Sequence, residues 1–366
     1  MARVFSLVLI LAVFLSSCSA GIEPSSSDNP LAEPGVSTTT EFVGITALPT
    51  PTPSLTPSPT ATLTPTPEPH PMDIRAMQAG SYPGSDIVIE EELPRGGNYS
   101  RYYASYLSEG LKIYALLTIP NGEMPSGGWP AIVFNHGYIP PEQYRTTERY
   151  IAYVDQLALS GYMVFRIDYR GHDRSEGEPT GAYGDPGYTN DVLNAVASLQ
   201  RHPQVNPQKI GMWGHSMGGY LTLRAMVISD QIKVGVIWAG VVGSYPDLLY
   251  NWRRSSSFIM PTPRPGTRRW REYWIELYGT PEENPQFWNS ISANSFLGDL
   301  SGPIQLHHGT ADDSVPFEFS QTLYDQIQSA GGEVEFFTYE GDDHNLGNYF
   351  SMAMYRTIEF YDRYLK

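Results

Sequence analysis

The spacing of apolar positions changes along the chain. Residues 86–93, 99–107 and 111–119 are strand-like runs, separated by turn-like segments at 95–98 and 108–110. Consecutive short strands joined by tight turns favour antiparallel pairing. These runs predict a three-stranded antiparallel meander.

Further along, strand-like and helix-like runs alternate. Buried strands are predicted at residues 131–135, 162–168, 209–213, 234–239, 303–307 and 334–339. Helices are predicted at residues 147–160, 188–201, 217–228, 317–330 and 348–364. Such alternation is typical of a parallel sheet with right-handed crossovers. We predict an α/β fold, with a mostly parallel sheet, an N-terminal antiparallel meander and helices on both faces.

Residues 245–300 interrupt this alternation with a segment longer than an ordinary connection. Its aromatic residues include Tyr245, Tyr250, Trp252, Phe258, Trp270, Tyr273, Trp274, Tyr278, Phe287 and Trp288. We predict a lid, partly helical at 268–278, whose aromatics line an apolar pocket. The alternative is an insertion that buries them in a small core of its own. For the six arginines between Arg253 and Arg271 we favour solvation of the outer face over binding of an anionic substrate.

The N-terminus is typical of an export signal. Arg3 precedes an apolar run from Val4 to Leu15, which at about a dozen residues is short for a membrane span. Small residues then lead to Cys18, the only cysteine, so no intrachain disulfide is possible. The arrangement resembles a bacterial lipoprotein signal, with residues 1–17 removed and Cys18 lipidated. The alternative is an ordinary signal peptide with an incidental cysteine.

Serine, threonine and proline dominate the segment that follows, residues 18–71. It cannot bury enough apolar surface to offset the entropy lost on ordering. Proline keeps such a segment extended, so residues 46–71 alone would reach on the order of 80 Å. We predict a disordered stalk that joins a folded domain, residues 72–366, to a lipid anchor at the bacterial cell surface or envelope.

Charge and composition exclude several functions. The formal net charge of −16 argues against nucleic acid or anionic lipid as a partner, so membrane contact is expected through the anchor only. His307, His308, Asp312 and Asp313 imitate a metal-binding cluster, but adjacent histidines diverge on a strand. We expect neither metal nor cofactor, and the oligomeric state is left open.

The residues Gly214-His215-Ser216-Met217-Gly218 form a G-x-S-x-G motif between a predicted strand and a predicted helix. A serine hydroxyl is a poor nucleophile unless the backbone exposes it and a base removes its proton. A sharp strand-to-helix turn exposes the hydroxyl, and flanking glycines avoid collisions there. Ser216 is the predicted nucleophile.

The α/β-hydrolase order of nucleophile, acid and base then selects its partners. Asp312 and His344 each follow a predicted strand, where loops meet at the catalytic edge of a parallel sheet. Of the eight histidines, only His344 lies after Asp312, so it is the predicted base. Asp312 is the favoured orienting acid.

Three other carboxylates lie nearby in the sequence. Asp313 is the alternative orienting acid, and otherwise a loop-stabilising or solvated group. Asp342 and Asp343 precede His344, and their expected role is turn formation.

A tetrahedral intermediate needs two hydrogen-bond donors at its oxyanion. The backbone N–H of Met217 is one predicted donor, because it begins the helix after Ser216. The backbone N–H of Tyr138 is the other, because Gly137 allows that loop to approach closely. The alternative for this second segment is an ordinary loop after a strand.

Segments 135–137, 214–219, 308–316 and 343–344 together resemble the catalytic domain of the prolyl oligopeptidase family. Segment 168–177 is similar to a loop of many α/β-hydrolases, esterases included. The resemblance extends from about residue 100 to the C-terminus. It implies an α/β-hydrolase fold with Ser216 as nucleophile, Asp312 as acid and His344 as base.

One departure bears on the substrate. Oligopeptidases of that family carry a β-propeller before the hydrolase domain, and fewer than about seventy residues lie between the proline-rich tract and Asn135 here. Without that gate, ester hydrolysis competes with peptide hydrolysis. We expect an exported serine hydrolase of small peptides or esters. The alternatives are a carboxylesterase without peptidase activity and, less favoured, a non-catalytic binding protein on a hydrolase fold.

Overall fold

The computed structural model describes residues 68–252 and 270–366, together with residues 38–40 and 44. The chain divides into the units Met1–Thr64 and Pro65–Lys366, and the fold below is that of the second unit. Several predictions lie outside the described residues: the signal peptide (1–17), Cys18, most of the stalk (18–71), and Arg253, Arg254, Arg264, Arg268 and Arg269 of the insertion. Within the described ranges, no helix combines the length and apolar character that crossing a bilayer requires.

Nine strands of the described residues form one sheet. They are β1 (Val88–Leu93), β2 (Tyr99–Ser108), β3 (Leu111–Pro120), β4 (Trp129–Asn135), β5 (Met163–Ile167), β6 (Val205–His215), β7 (Val234–Trp238), β8 (Ile304–Gly309) and β9 (Val334–Tyr339). Their order across the sheet is β1-β2-β3-β5-β4-β6-β7-β8-β9. The pairs β1-β2, β2-β3 and β3-β5 are antiparallel, and the other pairs of neighbouring strands are parallel. The predicted meander and mostly parallel sheet are confirmed.

Helices connect the parallel strands. Those of the described residues are α1 (Ile74–Gln78), α2 (Ile151–Leu159), α3 (Gly187–Arg201), α4 (Met217–Ile228), α5 (Tyr245–Tyr250), α6 (Trp270–Tyr278), α7 (Pro285–Ile291), α8 (Phe317–Ser329) and α9 (Phe350–Leu365), with a 3-10 helix at Ala293–Asp299. α2, α3, α4 and α8 each join two strands of the parallel part, whereas α5 to α7 belong to the insertion between β7 and β8.

Two apolar cores lie on opposite faces of the sheet, because successive side chains of a strand point to opposite sides. In β4, Ala131 and Val133 join the core that includes residues of α3, α4 and α8, while Ile132 and Phe134 join the core that includes residues of α2 and α9. All four side chains are fully buried. Burial on both faces explains why this strand is a continuous apolar run, and it confirms the helices predicted on both faces.

Helix α2 begins later than its sequence pattern predicts. The expected start was residue 147, but Arg149 and Tyr150 have φ angles of 55° and 47° and cannot continue a right-handed helix. The helix therefore begins at Ile151. The apolar spacing gave no indication of this left-handed pair.

A short N-terminal segment packs into the domain. Met72 and Ile74 are fully buried, and Met77 is nearly so. The buried guanidinium of Arg224 in α4 donates hydrogen bonds to the carbonyl oxygens of Met72 and Ile291. Helix α1 was not predicted, since five residues are too few to show a helical period.

Four of the described aromatics of the insertion are buried. Tyr245, Trp274 and Trp288 are at most 5% exposed and join the same core as α3 and α4, not a separate core of their own. Tyr250 and Tyr273 are exposed, at 42% and 55%. The predicted lid function remains a prediction.

Candidate active site

Ser216 occupies the turn between β6 and α4, where its backbone has φ 56° and ψ −118°. A non-glycine residue with this φ is strained. Backbone hydrogen bonds hold the turn: the Ser216 N–H donates to Trp238 at 3.0 Å, and the Ser216 carbonyl accepts from Gly219 and Val241. The turn is thereby tied to the end of β7, and such a turn presents the serine hydroxyl at the carboxyl edge of the sheet.

Two glycines make this turn possible. A Cβ atom on Gly218 would overlap the carbonyl oxygen of Asn135, and one on Gly214 would overlap the carbonyl oxygen of Gly218. Both obstacles are backbone atoms, which cannot move aside as a flexible side chain can. The glycine spacing of the motif is therefore required by close backbone packing, of Gly218 against the end of β4 and of Gly214 against the start of α4.

The predicted acid and base meet at the same edge. Asp312 lies in the loop after β8, and His344 lies in the loop after β9. Nδ1 of His344 is 2.7 Å from Oδ2 of Asp312. The carboxylate is fully buried, while the imidazole side chain remains 17% exposed. An ionised carboxylate only accepts hydrogen bonds, so Nδ1 of the neutral imidazole carries the hydrogen and Nε2 keeps its lone pair.

Asp312 is surrounded by donors. Oδ1 accepts hydrogen bonds from the backbone N–H groups of Ser314 at 2.8 Å and Val315 at 3.0 Å. Oδ2 also contacts Nε2 of His308 at 3.0 Å. Burial favours the neutral acid, but the hydrogen bonds from His308 and His344 outweigh it and hold the pKa of Asp312 well below its usual value. The group is therefore ionised throughout the neutral range.

The neighbouring carboxylates have other partners. Asp313 is exposed and accepts a hydrogen bond from the Ser314 hydroxyl at 3.1 Å. Asp342 is buried and accepts hydrogen bonds from the backbone N–H groups of Asn348 and Tyr349. Asp343 accepts from backbone N–H groups within its own loop. The turn-forming roles expected of Asp342 and Asp343 agree with these contacts.

The serine turn and the histidine loop touch directly. His215, the residue before Ser216, has Nε2 2.9 Å from the carbonyl oxygen of His344. The two imidazole centroids are 4.6 Å apart. The structure thus brings Ser216, Asp312 and His344 to one edge of the sheet, although they are far apart in the chain.

The loop after β4 lies against the serine. A Cβ atom built on Gly137 would be 3.2 Å from the Ser216 Cβ, so any side chain there would crowd the site. Tyr138 follows in this loop with its side chain 48% exposed, and Met217 is the first residue of α4. Both predicted oxyanion donors therefore belong to segments that adjoin Ser216.

The loop after β5 supports the loop after β4. The Tyr169 hydroxyl donates to the carbonyl of His136 at 3.1 Å. Asp168 is buried and accepts hydrogen bonds from the hydroxyls of Tyr144 at 2.7 Å and Thr146 at 2.5 Å. Burial raises the pKa of Asp168 to about 7, although these hydrogen bonds favour the ionised form. Segment 168–177, which resembles a loop of many α/β-hydrolases, thus stabilises the loop after β4 through Asp168 and Tyr169.

Sequence reasoning missed two contributors to the site. Chain order excludes His308 as the base because it precedes the acid, yet in the structure it shares Oδ2 of Asp312 with His344. Tyr150 was not singled out at all, and its hydroxyl contacts both the Gly137 N–H and the His215 ring. The spacing of His308 before Asp312 was a usable signal, but nothing in the sequence reveals the turn that aims Tyr150. Among the described residues, no group of three or more His, Cys, Asp or Glu side chains is arranged to hold a metal ion.

Comparisons with known proteins place this geometry in context. A model of the prolyl oligopeptidase family matches residues 149–366, more than half of the chain. The uncharacterized peptidase YtmA of Bacillus subtilis is 27% identical over 260 residues, which cover 70% of this chain and 91% of YtmA.

Solved structures show the same fold. An acylaminoacyl peptidase of Pyrococcus horikoshii has a TM-score of 0.57 and 25% identity, with 74% of this chain covered. The match spans only 42% of that peptidase. An acetyl xylan esterase from Paenibacillus sp. R4 has a TM-score of 0.57 and 18% identity, with 80% of this chain and 92% of the esterase covered.

Proposed function

The chain belongs to the prolyl oligopeptidase family, and from this premise we propose that it is an exported serine hydrolase that cleaves a carboxylic ester or peptide bond through Ser216, Asp312 and His344. The observation that carries the proposal is the 2.7 Å contact between His344 Nδ1 and Asp312, beside a strained serine turn. This contact fixes the imidazole tautomer that leaves Nε2 as a base.

The first half of the reaction acylates the serine. Nε2 of His344 takes the Ser216 hydroxyl proton as Oγ bonds to the substrate carbonyl carbon, and the carbonyl π electrons move to oxygen. The backbone N–H groups of Met217 and Tyr138 stabilise the oxyanion. When the carbonyl re-forms, the alcohol or amine leaves with the proton from His344, and the acyl group stays on Ser216.

The second half releases the acid. His344 removes a proton from water as the water oxygen bonds to the acyl carbon. Collapse of the second oxyanion expels Ser216 Oγ, which regains its proton from His344. Asp312 stays ionised in both halves and stabilises the imidazolium, since its pKa lies well below its usual value.

Two substrate classes, peptides and carboxylic esters, fit the proposed site. The family and YtmA favour peptides. The match to an acetyl xylan esterase, which covers 92% of that structure and 80% of this chain, favours the alternative of a carboxylesterase without peptidase activity. Both substrate types react by the same acyl transfer to serine.

Export and anchoring rest on the N-terminal sequence. A short apolar run ending before Cys18 supports secretion as a lipoprotein, and the serine-, threonine- and proline-rich segment supports a stalk. The membrane is a partner only through this lipid. The hydrolase would then act on small substrates outside the cytoplasm.

A fluorophosphonate probe and two substrate series test the catalytic proposal. The wild-type protein should be labelled and should hydrolyse p-nitrophenyl esters or aminoacyl p-nitroanilides, whereas Ser216→Ala should lose labelling and about a thousandfold or more of its turnover. Circular dichroism should show that the variant is folded. A folded Ser216→Ala variant with full activity would refute the assignment, and an unlabelled, inactive wild type would favour the binding-protein alternative. The ratio of ester to anilide turnover decides the substrate class.

A further inference from the structure

Three hydrogen bonds link the loop after β4 to the loop that carries the proposed base. The Gly137 N–H donates to the Tyr150 hydroxyl oxygen at 2.9 Å. The Tyr150 hydroxyl is 2.7 Å from Nδ1 of His215, and Nε2 of His215 is 2.9 Å from the His344 carbonyl oxygen. We propose that Tyr150 and His215 are positioning residues, forming a bridge that holds Gly137 and His344 in place around Ser216. The inference rests on the proposed serine hydrolase function.

The donors and acceptors of the bridge follow from its ends. The His344 carbonyl can only accept, so Nε2 of His215 carries the hydrogen. Nδ1 of a neutral imidazole is then an acceptor and takes the Tyr150 O–H, which leaves the tyrosine oxygen to accept from Gly137. All three hydrogen bonds therefore form with one tautomer of His215, the one that carries its hydrogen on Nε2.

The environment of His215 keeps its ring neutral. The side chain is 3% exposed. Burial, together with the neighbouring His344 and His308 rings, lowers the pKa of His215 to about 3. The hydrogen bond to the His344 carbonyl and the negative charge of Asp312 act in the opposite direction but are outweighed. Neutrality matters for the proposed mechanism, because a charged ring 4.6 Å from the His344 ring would repel the imidazolium formed during catalysis.

The backbone around Tyr150 is held in the conformation that the bridge needs. Arg149 and Tyr150 have left-handed φ angles of 55° and 47°. The buried guanidinium of Arg166 donates hydrogen bonds to the carbonyl oxygens of Thr146, Glu148 and Arg149. These hydrogen bonds offset the strain of two consecutive left-handed non-glycine residues.

The Tyr150 ring is fixed as firmly as its backbone. Its centroid lies 5.6 Å from that of Phe134 and 6.2 Å from that of Trp213, both in edge-on arrangements. Packing of the ring against Phe134 and Trp213 therefore fixes the position of the Tyr150 hydroxyl. Since it occupies the Gly137 N–H, that group is not available to a substrate, which is consistent with the next N–H, of Tyr138, serving as the oxyanion donor.

Removing the hydroxyl tests the bridge. Tyr150→Phe should lower kcat for p-nitrophenyl butyrate by about 10- to 100-fold with KM changed less than about threefold, because the bridge orients catalytic groups and does not contact the substrate. His215→Phe should behave alike. The double variant should be no slower than the slower single variant, since either change breaks the same path.

Tyr361→Phe is the matched control. Its hydroxyl is also buried and also donates to a backbone carbonyl, that of Met212 at 2.8 Å, but it belongs to α9. Tyr361→Phe should keep the wild-type kcat, although its melting temperature should fall about as much as that of Tyr150→Phe. An unchanged kcat in Tyr150→Phe, or an equal loss in Tyr361→Phe, overturns the proposal.

A readout without turnover separates this proposal from the proposed function. Nitrogen NMR of histidine-labelled protein, with the His215 signals identified by their loss in His215→Phe, should show a neutral ring with hydrogen on Nε2 from pH 5 to 8. Hydrogen on Nδ1, or protonation in that range, overturns the bridge. An unlabelled, inactive wild type would instead defeat the hydrolase assignment while the NMR result still decides the bridge.

Discussion

At the residue scale, Asp312 is the most constrained group of the site. Its two oxygens receive two backbone N–H groups and contact two imidazoles, from His308 and His344. Nε2 of His308 also contacts the carbonyl of Val315 at 3.2 Å, so that nitrogen carries a hydrogen. A carboxylate held in this way cannot rotate or take up a proton easily. It fixes the tautomer of His344 and remains an anion beside it.

We expect Asp312→Asn to lower kcat by about a thousandfold or more, because an amide can donate to His344 and favour the wrong tautomer. Asp313→Asn should change kcat less than about threefold, since its carboxylate is exposed and accepts a hydrogen bond from the Ser314 hydroxyl. Ester hydrolysis by the two purified variants decides between the two aspartates. Equal losses would contradict the choice of Asp312.

Asp168 predicts a pH dependence of stability. Burial raises its pKa in the folded state from 3.8 to about 7. Between these values the folded protein binds more protons than the unfolded chain, so the free energy of unfolding falls as the pH rises. The stabilising contribution is complete below about pH 4 and lost above about pH 7.

Urea unfolding of the wild type and of Asp168→Asn, at pH 5 and at pH 8, checks this sign. The free energy of unfolding of the wild type, relative to that of the variant, should be lower at pH 8 than at pH 5, because the buried carboxylate is charged at pH 8. The asparagine has no proton to lose in this range. A stability difference that is the same at both pH values would contradict the raised pKa.

At the element scale, the site is assembled from strand ends. Ser216 follows β6, Asp312 follows β8 and His344 follows β9, and the oxyanion loop follows β4. These four strands are all in the parallel part of the sheet, so their carboxyl ends lie at one edge. The turn at Ser216 depends most on backbone packing.

Gly218→Ala should disrupt this turn, because a methyl group there would overlap the Asn135 carbonyl oxygen. We expect a loss of about 3 kcal/mol in the free energy of unfolding, together with most of the activity. Gly298→Ala is the matched control, since a Cβ there has no neighbour within 4 Å. Chemical denaturation should separate the two, and a Gly218→Ala protein as stable as the control would contradict the packing argument.

Most elements could be predicted from sequence because their apolar periods are long or continuous. The parallel strands and helix α3 follow this rule, with differences of a few residues at their ends. Helix α1 and the start of α2 could not, since one is too short to show a period and the other depends on two left-handed residues. At the site, chain order and motif spacing pointed to Asp312 and His344, but the contacts of Tyr150 depend on tertiary structure.

At the scale of the whole molecule, the family match confirms the resemblance and the enzyme class, a serine hydrolase, that the motifs predicted. It does not reach the N-terminal segment around α1, which nevertheless packs into the core. His70 stacks edge-on against Trp274, with ring centroids 5.0 Å apart. The folded unit therefore includes residues that precede the matched region.

Two truncations test this boundary. A chain that begins at Glu68 should retain the stability and ester turnover of the full chain. A chain that begins at Gly80 lacks Met72, Ile74 and Met77, and should lose on the order of 5 kcal/mol of its unfolding free energy through lost apolar burial alone. Thermal melts of both proteins provide the measurement, and equal melting temperatures would show that the segment is dispensable.

The proposed lipid anchor at Cys18 can be tested by metabolic labelling. In a bacterial host supplied with a labelled fatty acid, the wild type should carry the label and sediment with membranes, whereas Cys18→Ala should do neither. Because Cys18 is the only thiol of the chain, no other cysteine can substitute. A labelled Cys18→Ala protein would contradict lipidation at this residue.

The proposed nucleophile follows β6, whereas its proposed partners follow β8 and β9, so the three residues are synthesised at different times. A ribosome completes the segment bearing Ser216 long before it reaches the codon for His344. A nascent chain of that length lacks the proposed base, and a chain threaded from its N-terminus delivers His344 after Ser216 and Asp312. If the chain is exported as we propose, the triad can assemble only after His344 has crossed the membrane, which would keep hydrolysis out of the cytosol.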